Sequence, residues 1–267
     1  MDTRPIGVFD SGVGGLTVVK QIMKVMPHEN IVYFGDTARV PYGTKSKEAV
    51  TKYSKQNVRF LLSKGVKAII VACNTASSNS MDAMREAFDV PIFGVVVPGV
   101  EEALRSTKNK KIGVIGTPGT VRSGAYEKLI CAEDSEMQVY TKACPLFVPL
   151  AEEGWTDNEV SRQAAKRYLD ELVEKGIDSL VLGCTHYPLL KLCIGTTVGD
   201  DIKLVDPAKA TAIRVMNFLG ERNQLNQEEA EGKKQFYLSD STDMFQSVCQ
   251  KALKFPFEPE IIDIEKY

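Results

Sequence analysis

The chain has 267 residues, 43% apolar and 25% charged, with a formal net charge of −2 at pH 7. That length suits one large domain or two modest ones, and the near-neutral balance gives no electrostatic basis for binding nucleic acid or an anionic membrane surface. Met1-Asp2-Thr3-Arg4 leads directly into an apolar strand, so no signal peptide is expected, and no apolar run approaches the ~18 residues that span a bilayer.

Short β-branched runs alternate with amphipathic stretches along the chain. Strands are predicted at Ile6–Phe9, Ile31–Phe34, Ala68–Ala72, Ile92–Val97, Lys111–Gly116, Met137–Thr141, Ser179–Gly183, Ile202–Asp206 and Gln235–Leu238. Several are apolar on both faces, as buried parallel strands are. Thr156-x-x-Glu159 has the spacing of a capping box opening a helix, with Val160, Ala164, Leu169 and Leu172 on its apolar face and Gly176 ending it. Asp206-Pro207 is a cap followed by a fixed φ, which starts another helix lined by Ala208, Ala212, Val215, Met216 and Leu219 and closed by Gly220. Asn223 to Lys234 is polar and charged and reads as a solvated loop or helix face. The alternation predicts an α/β fold with helices on both sheet faces.

The chain also resembles itself. Ile6-Gly7-Val8-Phe9-Asp10-Ser11-Gly12 pairs with Ile112-Gly113-Val114-Ile115-Gly116-Thr117-Pro118, and Ile70-Val71-Ala72-Cys73-Asn74-Thr75 pairs with Leu180-Val181-Leu182-Gly183-Cys184-Thr185. Gly7 to Cys73 is 66 positions, and Gly113 to Cys184 is 71. Two strand-turn signals thus recur in the same order at nearly the same interval. The expected architecture is two pseudo-symmetric lobes, each a mostly parallel sheet flanked by helices, with the active site in the cleft between them. Residues 1–97 plus 207–267 would form the first lobe and 98–206 the second, the tail after Asp206 folding back because it has too little core of its own.

The six cysteines, at 73, 131, 144, 184, 193 and 249, form no C-x-x-C pair. They read as reduced thiols in the cytoplasm. With only His28 and His186 to help, a zinc cage is not expected. Cys73 and Cys184 stand apart: each follows a predicted parallel strand, where open α/β sheets bind ligands. Each also precedes small polar residues, Asn74-Thr75 and Thr185-His186, that can donate to a carboxylate. The other four lack such flanks and read as core or incidental thiols. Asp10-Ser11-Gly12-Val13-Gly14-Gly15, with Asp36 ending the next strand, invites a dinucleotide reading, but it departs from G-x-G-x-x-G, and Asp10 would repel a pyrophosphate; it suits an ammonium group better. Tyr42-Gly43 after Pro41 marks a turn whose backbone can approach a ligand. His186 can exchange a proton near a thiol. Glu152 and Glu153 form a pair that is solvated by default.

At these residues the chain resembles the glutamate racemase family. The resemblance is carried by Gly7 to Thr17, Gly35-Asp36-Thr37-Ala38-Arg39-Val40-Pro41-Tyr42-Gly43, Ala72-Cys73-Asn74-Thr75-Ala76-Ser77 and Gly183-Cys184-Thr185-His186-Tyr187-Pro188-Leu189. It implies a cytoplasmic, homodimeric isomerase that needs no cofactor or metal and supplies D-glutamate for bacterial peptidoglycan. Catalysis would fall on Cys73 and Cys184, and substrate contacts on Asp10-Ser11, Tyr42-Gly43, Asn74-Thr75 and Thr185-His186. A carboxylate in the region of Glu152 is also used in the family; Glu152 is preferred over Glu153. Regulation by a cell-wall precursor through a long N-terminal extension is not expected here.

The chemistry of racemisation agrees with this choice of residues. A proton must leave Cα on one face and another must arrive on the opposite face, which two acid/base groups on opposite walls accomplish directly. A thiol with a pKa near ~8.5 can serve as base or acid close to neutrality. With each group ~3–3.5 Å from Cα, the sulfurs would lie roughly 6–7 Å apart and unlinked. Asn74, Thr75, Thr185 and nearby amides would stabilise the carbanion through the α-carboxylate, and Asp10 and His186 would tune or relay protons to the thiols. The alternatives are an aspartate or hydantoin racemase, a hydrolase with Cys184 as nucleophile and His186 as base, and a non-catalytic amino-acid binding protein. The hydrolase is disfavoured because positions i and i+2 rarely let a base reach its nucleophile and because Cys73 would have no role; the binding protein does not need paired thiols.

Overall fold

The computed structural model describes residues 1–240 and 258–267. Its strands are β1 (Ile6–Asp10), β2 (Ile31–Gly35), β3 (Ala68–Val71), β4 (Ile92–Gly94), β5 (Lys111–Gly116), β6 (Gln138–Ala143), β7 (Ser179–Gly183), β8 (Lys203–Val205), β9 (Lys234–Leu238) and β10 (Glu260–Ile261). They form two all-parallel sheets, ordered β10-β9-β2-β1-β3-β4 and β6-β5-β7-β8. The order β2-β1-β3-β4 of the first sheet is therefore repeated as β6-β5-β7-β8 in the second, which is the structural form of the internal sequence repeat. β1, β2, β3 and β7 are buried along their full length, as strands covered by helices on both faces must be.

The helices are α1 (Leu16–Val25), α2 (Lys47–Ser63), α3 (Asn74–Asn79), α4 (Met81–Ala87), α5 (Val96–Ser106), α6 (Pro118–Ser123), α7 (Ala125–Glu133), α8 (Phe147–Glu152), α9 (Glu159–Glu174), α10 (Lys191–Val198) and α11 (Pro207–Glu221). On one face of the larger sheet, Leu16, Val18, Val19 and Ile22 of α1 and Ala208, Ala212, Val215 and Leu219 of α11 share a core with Ile6, Val8, Ala68 and Ile70. On the other face, Val58, Phe60 and Leu61 of α2 pack with Phe9, Phe34, Ile69 and Val71. The sides alternate along each strand because successive side chains point to opposite faces. The chain after Asp206 returns to the first sheet: α11 packs on α1, and β9 pairs in register with β2.

Several predicted boundaries move. The run Ile92–Val97 is a strand only to Gly94. Val96, Pro98, Gly99, Val100 and Ala103 are instead the buried face of α5, so the end of a β-branched run is taken by a helix whose burial outweighs propensity. Thr156 does not open α9: the capping box is Asn158 with Ser161, each side chain bonding the other's backbone N–H at 2.9 and 2.8 Å. Val160 is exposed, and Ser161, Ala165, Leu169 and Leu172 are the buried residues of that helix. α11 runs through Gly220 to Glu221, and Asn223, at φ 54°, takes the left-handed position after it. Segment 223–233 is largely exposed, but Asn226 is buried and tied to Glu29 and to the His28 carbonyl. Cys144 and Cys193 are buried and Cys131 is half-buried; Cys249 lies outside the described residues. Among the described residues no helix is long and apolar enough to cross a membrane.

Candidate active site

The strand registers place the two conspicuous thiols at equivalent positions. Ala68 of β3 pairs with Ile6, and Ser179 of β7 pairs with Ile112, the residue matching Ile6 in the internal repeat. Cys73 and Cys184 each come five residues after those partners. Each sits beyond the carboxyl end of the strand beside the first strand of its half. That is the point where consecutive connections leave in opposite directions along the sheet and where open α/β folds hold ligands.

Both cysteines, with Ser11, Tyr42, Gly43, Asn74, Thr75, Thr185 and His186, line one small, partly open pocket. Its volume is about 20 Å³, close to the room one water molecule needs. Thr117, Val40, Pro41 and Val148 complete the wall. The internal repeat aligns Thr117 with Ser11, which was the available signal for it; Val40 and Val148 carry no polar signature, and only packing reveals them. Asp10 and Glu152 stand behind the wall, each in contact with residues that form it.

The two halves interlock around this cavity. Thr75 Oγ1 lies 2.8 Å from Thr117 Oγ1, and the Tyr126 hydroxyl donates to Asn74 Oδ1 at 2.7 Å. Thr185 donates to Asp10 Oδ1 at 3.3 Å. The glycines permit this approach. A Cβ on Gly14 would stand 2.5 Å from Thr185 Oγ1 and 2.6 Å from His186 Nδ1, and one on Gly43 would stand 2.5 Å from Thr117 Cβ. The glycine-rich turn is thus a surface for close side-chain packing between the halves, and its amides at Gly12 and Gly15 donate to Asp10 Oδ2 at 3.2 and 3.0 Å.

The two thiols have different surroundings. Cys73 follows β3 as the residue before α3 and lies 3.6 Å from Ser11 Oγ. Burial, reinforced by the nearby Asp10 carboxylate, pushes its pKa up to about 12. Asp10 is itself raised by burial, against the opposing pull of His186 and the hydrogen bonds from Gly15, Gly12 and Thr185. Cys184 Sγ lies 3.9 Å from His186 Nδ1, and His186 Nε2 lies 3.1 Å from Glu152 Oε1. His186 thus stands beside Cys184 although i and i+2 spacing rarely allows this: the chain bends into a 3-10 turn at Tyr187–Leu190 directly after His186. Burial disfavours the charged imidazole, but the hydrogen bonds to Cys184 and Glu152 outweigh it and raise His186 well above its ordinary pKa. Glu152 is half-buried and Glu153 exposed, so Glu152 is the one that reaches the site. Such a site can hold a neutral thiol on one wall and a thiol beside a charged imidazole on the other.

The sequence profile of the Asp/Glu/Hydantoin racemase family matches residues 16–215. A glutamate racemase of Geobacter metallireducens is 52% identical over 240 residues, spanning 90% of this chain and 89% of its own. The solved glutamate racemase of Francisella tularensis subsp. tularensis SCHU S4, in complex with D-glutamate, superposes with a TM-score of 0.93 at 40% identity over 100% of both chains. The Escherichia coli enzyme, solved with L-glutamate and the activator UDP-MurNAc-ala, superposes at 0.79 with 32% identity over 94% of each chain. Identity of this extent, on a fold with the same two parallel sheets, leaves one assignment: the chain belongs to the glutamate racemase family.

Proposed function

We propose that this chain interconverts L-glutamate and D-glutamate by moving protons between Cα and two thiols, Cys73 and Cys184, and thereby supplies D-glutamate for peptidoglycan. The observation that carries the reading is the pair of thiols at register-equivalent strand ends, both lining one small pocket. The binding of D- and L-glutamate by relatives supports the choice of substrate. Two lobes, 1–97 with 207–267 and 98–206, would hold the substrate between them, in a homodimer of the cytoplasm.

In each turnover one sulfur, as thiolate, takes the Cα proton, and its S–H bond forms as the C–H bond breaks. The electron pair left on carbon delocalises into the α-carboxylate, which Asn74 and Thr75 side chains and the backbone N–H groups of the pocket-lining residues would stabilise as donors. The opposite thiol then gives its proton to the other face of Cα and is left as thiolate, so charge and protons balance. Cys73, held neutral by burial, suits the acid in one direction. The charged His186 places a positive group where a Cys184 thiolate forms, and Glu152 keeps that imidazole protonated. Asp10 sets the field at Cys73 and orients Thr185 rather than meeting the substrate directly.

The Cys184–His186–Glu152 chain would also suit a cysteine hydrolase, but it leaves Cys73 without a task. The deciding experiment is racemisation in D2O by the parent protein, Cys73→Ala and Cys184→Ala. The parent should place deuterium in newly formed product well before it appears in remaining substrate, from either enantiomer. Each variant should lose racemisation, and any residual α-proton exchange should be confined to one enantiomer, opposite for the two variants. Substantial racemisation by either variant would defeat the two-thiol mechanism.

A further inference from the structure

The wall that carries Tyr42 and Gly43 is held from behind by a group that never touches the cavity. Asp36 follows β2, and its side chain is fully buried. Its carboxylate accepts from the Tyr42 hydroxyl, from Ser239 Oγ at 3.0 Å and from Arg39 Nε at 2.8 and 3.0 Å to its two oxygens. Asn57 Nδ2 donates to the Tyr42 hydroxyl at 3.1 Å, so that oxygen both donates and accepts with fixed partners. Arg39 is held in turn by Gln56 Oε1 at 2.6 Å, Asn57 Oδ1 at 3.2 Å and the face of Tyr53, 4.3 Å from the ring centroid. The far end of the chain closes the network. Ser239, just past β9, also accepts from the Ala38 N–H at 2.9 Å, and Glu265 takes Arg39 Nη1 at 3.2 Å.

We propose that Asp36 is a positioning residue that fixes the Tyr42–Gly43 wall against the substrate, acting through the Tyr42 hydroxyl and itself oriented by Arg39 and Ser239. The inference rests on the racemase reading of the cavity. Its physical basis is the small tolerance of that wall: Gly43 already packs so closely on Thr117 that a methyl group would overlap it. Any rotation of the Tyr42 turn therefore opens or obstructs the cavity. A buried carboxylate accepting several hydrogen bonds allows one arrangement of the donors around it. Burial raises Asp36, and its bond to Tyr42 is the first of the contacts opposing that rise. Asp36 directs its own hydrogen bonds to Tyr42, Arg39 and Ser239 rather than to either thiol, so it sets how substrate is held and leaves proton transfer to the thiols. Binding held in common by ground and transition states appears in KM and not in kcat.

The test is steady-state racemisation of glutamate by Asp36→Asn, Tyr42→Phe, their double variant and Ser239→Ala, with glutamate affinity measured directly by calorimetry. Asp36→Asn and Tyr42→Phe should each raise KM and Kd fivefold or more, with kcat within twofold of the parent. The double variant should be no worse than the poorer single, because both remove the same contact. Ser239→Ala should raise KM by about twofold to fivefold and provides the test if Asp36→Asn does not fold. Variants that keep parental KM and Kd, a loss confined to kcat, or multiplicative effects in the double variant would each overturn the inference. A parent protein that fails to racemise glutamate would overturn the functional reading and this inference together, and that outcome is visible without any variant.

Discussion

Replacing Glu152 by Gln removes one charge and keeps the shape of the side chain, which isolates what the carboxylate does for His186. The imidazole is buried, its Nε2 is 3.1 Å from Glu152 Oε1, and its Nδ1 is 3.9 Å from Cys184 Sγ. The Glu152 side chain is only 16% exposed, so solvent screens the pair little. A hydrogen bond to a charged partner in such a place contributes about 1.5–3 kcal/mol. If it stabilises the imidazolium that accompanies a Cys184 thiolate, its loss corresponds to a fall in kcat/KM of about 10- to 150-fold. The midpoint of His186 titration should move down. The sign of the stability effect follows from that direction. A histidine raised in the folded state stabilises the protein fully below its unfolded pKa near ~6.5 and loses that contribution as pH rises through its folded value. The variant should therefore lose less stability than the parent on going from pH 6 into the alkaline range. The chain has two histidines, so ring resonances followed by NMR against pH give two curves, with His28 as internal reference. Glu153→Gln should leave both curves and kcat/KM unchanged. An unaltered His186 midpoint in Glu152→Gln, or an equal effect from Glu153→Gln, would refute the assignment.

Asp10→Asn should lower kcat/KM tenfold or more, equivalent to about 1.4 kcal/mol, while the melting temperature stays within a few degrees, because the amide oxygen can still accept from Gly12 and Gly15; full activity would remove Asp10 from the mechanism. Cys73, raised from 9.0 to about 12, keeps its proton in the folded state where the unfolded chain loses it, so its contribution is complete below pH 9 and fades as pH approaches 12. That loss is on the order of 4 kcal/mol across the window. Urea midpoints at pH 8 and 10.5 should accordingly fall more for the parent than for Cys73→Ala, and equal falls would show that the thiol titrates normally.

The α/β class, most strand centres and both thiols were legible in the sequence because each rests on local signals. Apolar runs mark β1, β3, β5 and β7, and a cysteine followed by small polar residues marks the end of β3 and of β7. Boundaries were less legible where burial overrode propensity, as at Val96-Val97, whose β-branched residues enter α5 because that helix buries Val96, Val100 and Ala103. Asn158 displaced Thr156 as the cap because capping depends on one residue's backbone angles, and the two candidates stand only two positions apart. The equivalence of Cys73 and Cys184 was approximate in sequence, where the intervals differ by five, and becomes the same register only in the sheets, where hydrogen bonding counts from Ile6 and Ile112. What tertiary structure alone decided are the contacts between residues far apart in the chain: Glu152 on His186, Tyr126 on Asn74, Thr117 on Thr75, and Asp36 with Ser239 behind Tyr42. Periodicity and propensity describe what a segment does with its neighbours within a few positions; the partners of a buried polar side chain are set by which strand ends the topology brings together.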